Sequence, residues 1–191
     1  MGNLIIKSLL LGAGLAMDAC AVSMVDGFSE PKMKLKKTIL IAVMFGLFQG
    51  LMPLIGYFIG FSVIIYIERW IPWIALVLLC FIGGKMLFEA LKISDNELEE
   101  KIENLTFKTI LIQAFATSVD ALSVGLTFSD YTIINAIICA SIITIVTLIF
   151  SFVAVFLGKK FGTKLGKKAE IVGGIILVCI GIEIFITGLF F

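Results

Sequence analysis

The chain has 191 residues, 60% hydrophobic and only 15% charged, with a formal net charge of +1 and a mean hydropathy of +1.15. A soluble domain carries about 25% charged residues, so this chain cannot cover a water-facing surface, and soluble enzymes, nucleic-acid binders and secreted disulfide scaffolds are excluded. What remains is an integral membrane protein of about six spans, at about 30 residues per span and connection.

Six apolar stretches long enough to cross a bilayer follow in order, and continuous β-barrel alternation is absent, so each is expected as a helix. The first runs from Leu4 to Val25 and holds Asp18, with Met17 and Ser23 beside it and Gly14, Ala16, Ala19 and Ala21 around it. Its weak basic start and the lysines after it mark a retained anchor rather than a signal peptide. The second, Thr38 to Gly60, holds Gln49 and Pro53. Pro53 has no N–H for the Gln49 carbonyl, so a freed carbonyl and the Gln49 amide fall at one level. Either local unwinding or a simple kink is expected there.

The third stretch, Trp70 to Leu91, carries Lys85 and Glu89. An acidic segment from Ser94 to Asn104 follows, the one plausible mid-chain linker. The fourth, Phe107 to Phe128, holds Asp120 with Thr117, Ser118 and Ser123 nearby. The fifth, Ile133 to Gly158, places Thr144, Thr147 and Ser151 on one helix face. Those hydroxyls either line a path or bond back to their own helix carbonyls. The sixth, Ile171 to Phe190, contains Glu183.

Basic residues set the expected orientation. Twelve of the 15 Lys and Arg residues lie in the connections after the first, third and fifth stretches, and only Lys7 and Arg69 lie on the opposite side. The positive-inside rule puts those connections in the cytoplasm and both termini outside it.

An internal repeat is visible. Gly14-Leu-Ala-Met-Asp18-Ala-Cys-Ala-Val22 recurs as Ala116-Thr-Ser-Val-Asp120-Ala-Leu-Ser-Val124, and Gly60 matches Gly158 as Gly83 matches Gly181. A three-span unit has an odd number of crossings, so its second copy enters the membrane inverted, as in many secondary transporters. The expected architecture is all-α, six transmembrane helices as two inverted-topology three-helix repeats in one membrane domain: residues 1–92, an acidic cytoplasmic linker at 93–106, and residues 107–191.

Asp18 and Asp120 then lie within about 5 Å of the midplane, at about 1.5 Å per residue. A carboxylate at that depth costs about 2.5–3.5 kcal/mol on insertion scales, and two at matched positions point to a cation site. The chain has no histidine, and its four cysteines stand singly. The expected ligands are therefore oxygens, namely Asp18, Asp120, Gln49 and Ser118, with the Met17 thioether as an addition, and such a set suits hard cations such as Mg, Ca and Mn. Ser23, Pro53, Ser123, Thr144, Thr147 and Ser151 are expected along the pathway. Lys85 and Glu183, at matched repeat positions, are expected as a structural or gating ion pair, with Glu89 near a mouth. Two close carboxylates cannot both stay ionised without a cation, so protons compete with metal, one route to metal/proton exchange.

At Gly14-Leu-Ala-Met-Asp18-Ala, Phe45-Gly46 with Pro53-Leu-Ile-Gly56, Gly83-Gly84-Lys85-Met86 with Glu89, Ala116-Thr-Ser-Val-Asp120-Ala, and Gly166-Lys-Lys-Ala-Glu170 with Gly173-Gly174, the sequence resembles the MntP family of manganese efflux pumps. The resemblance implies export of Mn2+ across a bacterial plasma membrane with no cofactor, a kinship with lysine-exporter-like transporters, and metal-binding roles for Asp18 and Asp120. Some members are acidic where this chain has Gln49. Export of another cation or a small amino acid is the alternative within the same class. A non-transporting assembly or sporulation protein, or an intramembrane aspartyl protease, is the alternative outside it. The protease reading lacks a Gly-x-Gly-Asp motif at either aspartate.

Overall fold

The computed structural model describes residues 2–59, 70–92, 105–128, 131–165 and 167–190, and every regular element among them is helical. The helices are α1 (Gly2–Ser29), α2 (Leu35–Ile59), α3 (Ile71–Lys92), α4 (Phe107–Thr117), α5 (Asp120–Val124) with a 3-10 turn after it (Gly125–Phe128), α6 (Ile133–Leu165) and α7 (Lys167–Phe190). Three segments have the length and apolarity to cross a membrane: Leu4–Ser29, Leu35–Ile59 and Ile133–Phe161. Shorter apolar helical segments lie at Pro72–Lys85, Phe107–Thr117 and Ile171–Ile186. Most of the expected acidic linker falls at 93–104, outside the described residues.

Two boundaries differ from the hydropathy reading for physical reasons. Helix α1 continues past Val25 to Ser29 and carries Asp26 inside it, because a buried partner for that carboxylate lies on a neighbouring helix. The fourth stretch is not one helix. It breaks between Thr117 and Asp120. The hydroxyl of Thr117 donates to the Gln113 carbonyl at 3.0 Å, and that of Ser118 to the Phe115 carbonyl at 3.0 Å. Such back-bonding competes with the helix ladder. The N–H groups of Ser118, Ala121 and Leu122 bond three residues back, to Phe115, Ser118 and Val119, the tighter 3-10 spacing. By contrast, α2 passes through Pro53 without interruption, so Pro53 does not unwind it.

Helix directions follow from close approaches. Ser8 Oγ lies 2.8 Å from Cys139 Sγ, a Cβ on Gly12 would sit 3.3 Å from Ile143 Cα, and one on Gly27 would sit 2.9 Å from Gly158 Cα. Contacts in a constant register mean that α1 and α6 run parallel, and this is the most extensive helix pair in the structure. Gly46 approaches Thr144 while Gly50 approaches Ala140, so α2 and α6 run antiparallel. Gly83 and Gly174 abut each other, and Gly181 meets Leu76 and Leu79, so α3 and α7 are antiparallel too.

Two glycine crossings are alike. Gly27 and Gly158 bring the end of α1 onto α6, and Gly125 and Gly56 bring the end of the broken fourth segment onto α2. At both, a side chain would strike backbone, the close-approach packing that small residues give membrane helices. The outer surface is apolar, with Leu10, Met17, Phe58, Phe81, Leu91, Ile134 and Phe156 exposed, whereas Gln49, Gln113, Asp26, Ser23, Thr147 and Ser151 are buried. That inside-out polarity is the pattern of a bundle bathed in lipid.

Candidate functional site

The site is built around Leu15 of α1. The Gln49 side chain, fully buried on α2, donates from Nε2 to the Leu15 carbonyl at 3.0 Å. Leu15 also packs with Met52 of α2 and with Val119, Ala121 and Leu122, which brackets Asp120 at the break of the fourth segment. One turn beyond Leu15, Asp18 is half-buried. The Asp18 and Asp120 carboxylates lie within electrostatic range of one another. The two aspartates and the amide, from three separate segments, therefore converge.

The break determines what Asp120 offers. Its Oδ1 accepts the N–H of the next residue, Ala121, at 2.8 Å. That N–H also bonds to the Ser118 carbonyl, three residues back. A discontinuous helix places unwound carbonyls beside a cation path. Of the two alternatives expected at Pro53, unwinding does not occur; the discontinuity lies at Ser118 and Val119.

Neutral oxygens divide into committed and uncommitted ones. Thr144 Oγ1 bonds back to the Ala140 carbonyl at 2.9 Å, and Ser118 Oγ is taken by Phe115 as above. Gln49 Oε1, Thr147 Oγ1, Ser151 Oγ and Ser23 Oγ are buried and have no partner. A buried polar atom without a partner costs about 1–3 kcal/mol, so these four oxygens await something that binds to them. Ser123 is half-buried on α5, and Pro53 is buried, its carbonyl against Gly125.

Three expectations fare differently. Met17 is 69% exposed, unlike the buried Gln49 beside Leu15. Lys85 and Glu183 do not form the expected pair. In the antiparallel register, the Gly83–Gly174 contact puts Lys85 level with Val172, while Gly181 beside Leu76 puts Glu183 level with Ile74. Symmetry-related positions meet across an antiparallel pair only near its axis, and these are displaced by about 16 Å at about 1.5 Å per residue. Glu183 lies instead in electrostatic range of Asp18. The Glu89 side chain lies outside the described residues.

No three His, Cys, Asp or Glu side chains come together among the described residues, so a cation here takes its remaining ligands from amide, hydroxyl and carbonyl oxygens. A cavity of about 770 Å³ opens beside the site, lined by Lys7, Ser8, Leu11, Gly14, Phe128 and Tyr131 among others. Gly14 is one helical turn from Asp18. Polar contacts cluster at the opposite end of the bundle: Lys37 is ion-paired with Glu30, Glu30 accepts the Leu105 N–H at 3.1 Å, and Lys159 Nζ donates to the Met33 carbonyl at 2.7 Å.

Sequence reasoning missed Asp26 and Gln113. Asp26 stands just past the hydropathy limit of the first stretch, and Gln113 is one amide in an apolar run. The spacing of Asp26 three residues after Ser23 was the available signal.

Residues 32–185 match the model of a family described as "Putative manganese efflux pump" (Mntp). A protein of Ruminiclostridium cellulolyticum named "Putative manganese efflux pump MntP" is 47% identical over 96% of this chain and 96% of its own length. Proteins of the same name from Clostridium perfringens strain 13 (42% identical, 94% of this chain, 93% of theirs) and Methanosphaera stadtmanae (41%, 92% and 96%) are also similar. No solved structure matches the chain.

Proposed function

The chain belongs to the manganese efflux pump family, Mntp, and from that premise we propose that it exports Mn2+ from the cytoplasm through a midplane site between two inverted three-helix repeats. It is a multi-pass membrane transporter and not an enzyme. Mn2+ is its cargo rather than a resident cofactor.

The observation that carries this reading is the convergence of Asp18, Asp120 and Gln49 at one level of an otherwise apolar bundle. Two carboxylates bring the charge that a divalent ion requires. Gln49 Oε1 adds a neutral oxygen suited to a hard cation. Thr147, Ser151 and Ser23 continue that polarity away from the site, and Ser123 and Ser118 flank Asp120. Glu183, near Asp18, adds negative charge at its edge.

The inverted repeat is supported by helix directions. Parallel α1 and α6, antiparallel α2 and α6, and antiparallel α3 and α7 are the relations of the first and fifth, second and fifth, and third and sixth crossings of a six-span serpentine. The Gly27–Gly158 and Gly125–Gly56 crossings are partners under the same relation.

In this reading the lysine-rich connections face the cytoplasm, which the positive-inside rule supports, and the cavity beside Gly14 is the outward exit of the path. In the exporting cycle the Glu30–Lys37 and Lys159–Met33 contacts open, Mn2+ reaches the paired aspartates, and closure behind the ion releases it to the cavity. Protons compete with Mn2+ for the same two carboxylates, which couples release to protonation.

Expression in a bacterial strain lacking other manganese exporters tests the proposal. The wild-type chain should raise manganese tolerance, and Asp18→Ala and Asp120→Ala, expressed to the same level, should not. Equal protection by both variants would remove the site.

A further inference from the structure

Beyond the midplane site, we infer that Asp26 and Gln113 form a second divalent-cation site between α1 and α4, near the lysine-rich end. The inference rests on the transport reading only for the identity of the ion.

Both residues are about 1% exposed. Gln113 Nε2 donates to Asp26 Oδ1 at 3.0 Å. That bond fixes the amide orientation, since the flipped amide would turn an oxygen toward the carboxylate. It leaves Asp26 Oδ2 and Gln113 Oε1 both buried and both without a partner. Ser23 Oγ, one turn earlier on α1, is buried and unpartnered as well. Two oxygens with free lone pairs thus lie at one contact between two helices, with a third one turn earlier on α1.

Charge makes the arrangement specific. The nearest cation, Lys37, is within electrostatic range of Asp26 but is ion-paired with Glu30. Glu30 also lies in range of Asp26 and repels it. Asp26 thus has one amide donor and an unpartnered Oδ2 beside a pair that is already matched, which is expensive in a dry interior.

Three occupants could answer this. A proton on Oδ2 removes the charge and supplies one donor but no further ligand for Gln113 Oε1 and Ser23 Oγ together. A water donates to Asp26 Oδ2 and Gln113 Oε1 but leaves the charge. A divalent cation takes carboxylate, amide and hydroxyl oxygens as ligands, and its charge offsets that of Asp26, with Glu30 also in range. The site lies about 12 Å from Asp18 along α1, at about 1.5 Å per residue, with Ser23 between them. An ion held there waits on the cytoplasmic side, one step short of the paired aspartates.

The test is the number of Mn2+ ions bound by the purified full-length protein in lipid nanodiscs, counted by loss of the free-ion electron paramagnetic resonance signal. The wild type should hold two. Asp26→Asn and Gln113→Met should each lose one ion and keep the other, and Asp18→Asn should show the converse loss. The Gln113→Met exchange removes the oxygen without changing charge, so it carries the test if Asp26→Asn fails to fold. Wild-type stoichiometry in folded Gln113→Met and Asp26→Asn would overturn the second site while leaving the midplane reading intact. Loss of an ion in those variants with full binding in Asp18→Asn would support the second site and overturn the midplane one.

Discussion

The side-chain amide of Gln49 donates to the Leu15 carbonyl at 3.0 Å, one helical turn from Asp18. This bond ties α2 to α1 at the level where Asp120 arrives on the broken segment, and it leaves Gln49 Oε1 buried and free.

Gln49→Leu should therefore separate transport from stability. It removes one neutral hydrogen bond and one unpaired oxygen, effects of about 1 kcal/mol with opposite sign, so the thermal midpoint in detergent should hardly move. Manganese transport should fall by about tenfold or more, in the range seen when groups supporting a metal site are lost. Gln49→Glu should tighten Mn2+ binding by adding ligand charge. A large drop in the melting temperature with unchanged transport by the surviving protein would mean that Gln49 is only a packing contact.

The polar stripe on α6 gives a second separation. Thr144 is bonded to its own helix, whereas Thr147 and Ser151 are buried and unpartnered. Thr147→Val and Ser151→Ala should be neutral or stabilising by up to about 1 kcal/mol, because an unsatisfied group is removed, yet they should slow transport. Thr144→Val should leave transport unchanged. Equal transport rates in all three variants would take the stripe out of the pathway.

The glycine crossings make a prediction about folding. A Cβ on Gly27 would meet the Val155 carbonyl oxygen at 2.5 Å and Gly158 Cα at 2.9 Å, and one on Gly125 would meet the backbone of Pro53, Gly56 and Tyr57. Backbone cannot give way as a side chain can, so Gly27→Ala and Gly125→Ala should each destabilise by about 1–3 kcal/mol. Gly14 and Gly84 have nothing within 4 Å, and their alanine variants should retain wild-type melting temperatures in the same detergent. Equal tolerance at all four positions would contradict the crossings.

Proton competition sets the sign of the pH dependence. In the proposed site Mn2+ takes the ionised forms of Asp18 and Asp120, and acidification protonates carboxylates, so apparent affinity should fall as pH falls. The logarithmic slope should approach one proton for each carboxylate, and Asp120→Asn should reduce it. Isothermal titration of Mn2+ at several pH values reads both. A slope unchanged by Asp120→Asn would mean that Asp120 does not share the site.

Much of this was legible in the sequence, for reasons that differ by residue. Asp18 and Asp120 stood out because charge inside an apolar run is costly, and the small residues around them foretold close helix packing. The break at Ser118 was hidden, because hydropathy sums over residues and does not register hydroxyls bonding back to carbonyls three or four residues earlier. At Pro53 the sequence left unwinding and a simple kink open, and α2 stays helical through it. The Lys85–Glu183 expectation failed because sequence matching gives equivalence between repeats, not adjacency. Asp26 escaped because a hydropathy limit stops at a charge whether or not the helix does.

The central claim is that paired aspartates at mid-bundle carry Mn2+ outward. Manganese uptake into inside-out membrane vesicles from cells expressing the wild type, Asp18→Asn or Asp120→Asn tests it most directly. The wild type should accumulate Mn2+ and each variant, present at equal amount, should reduce uptake to the level of empty vesicles. Uptake by either variant at the wild-type rate would contradict the account.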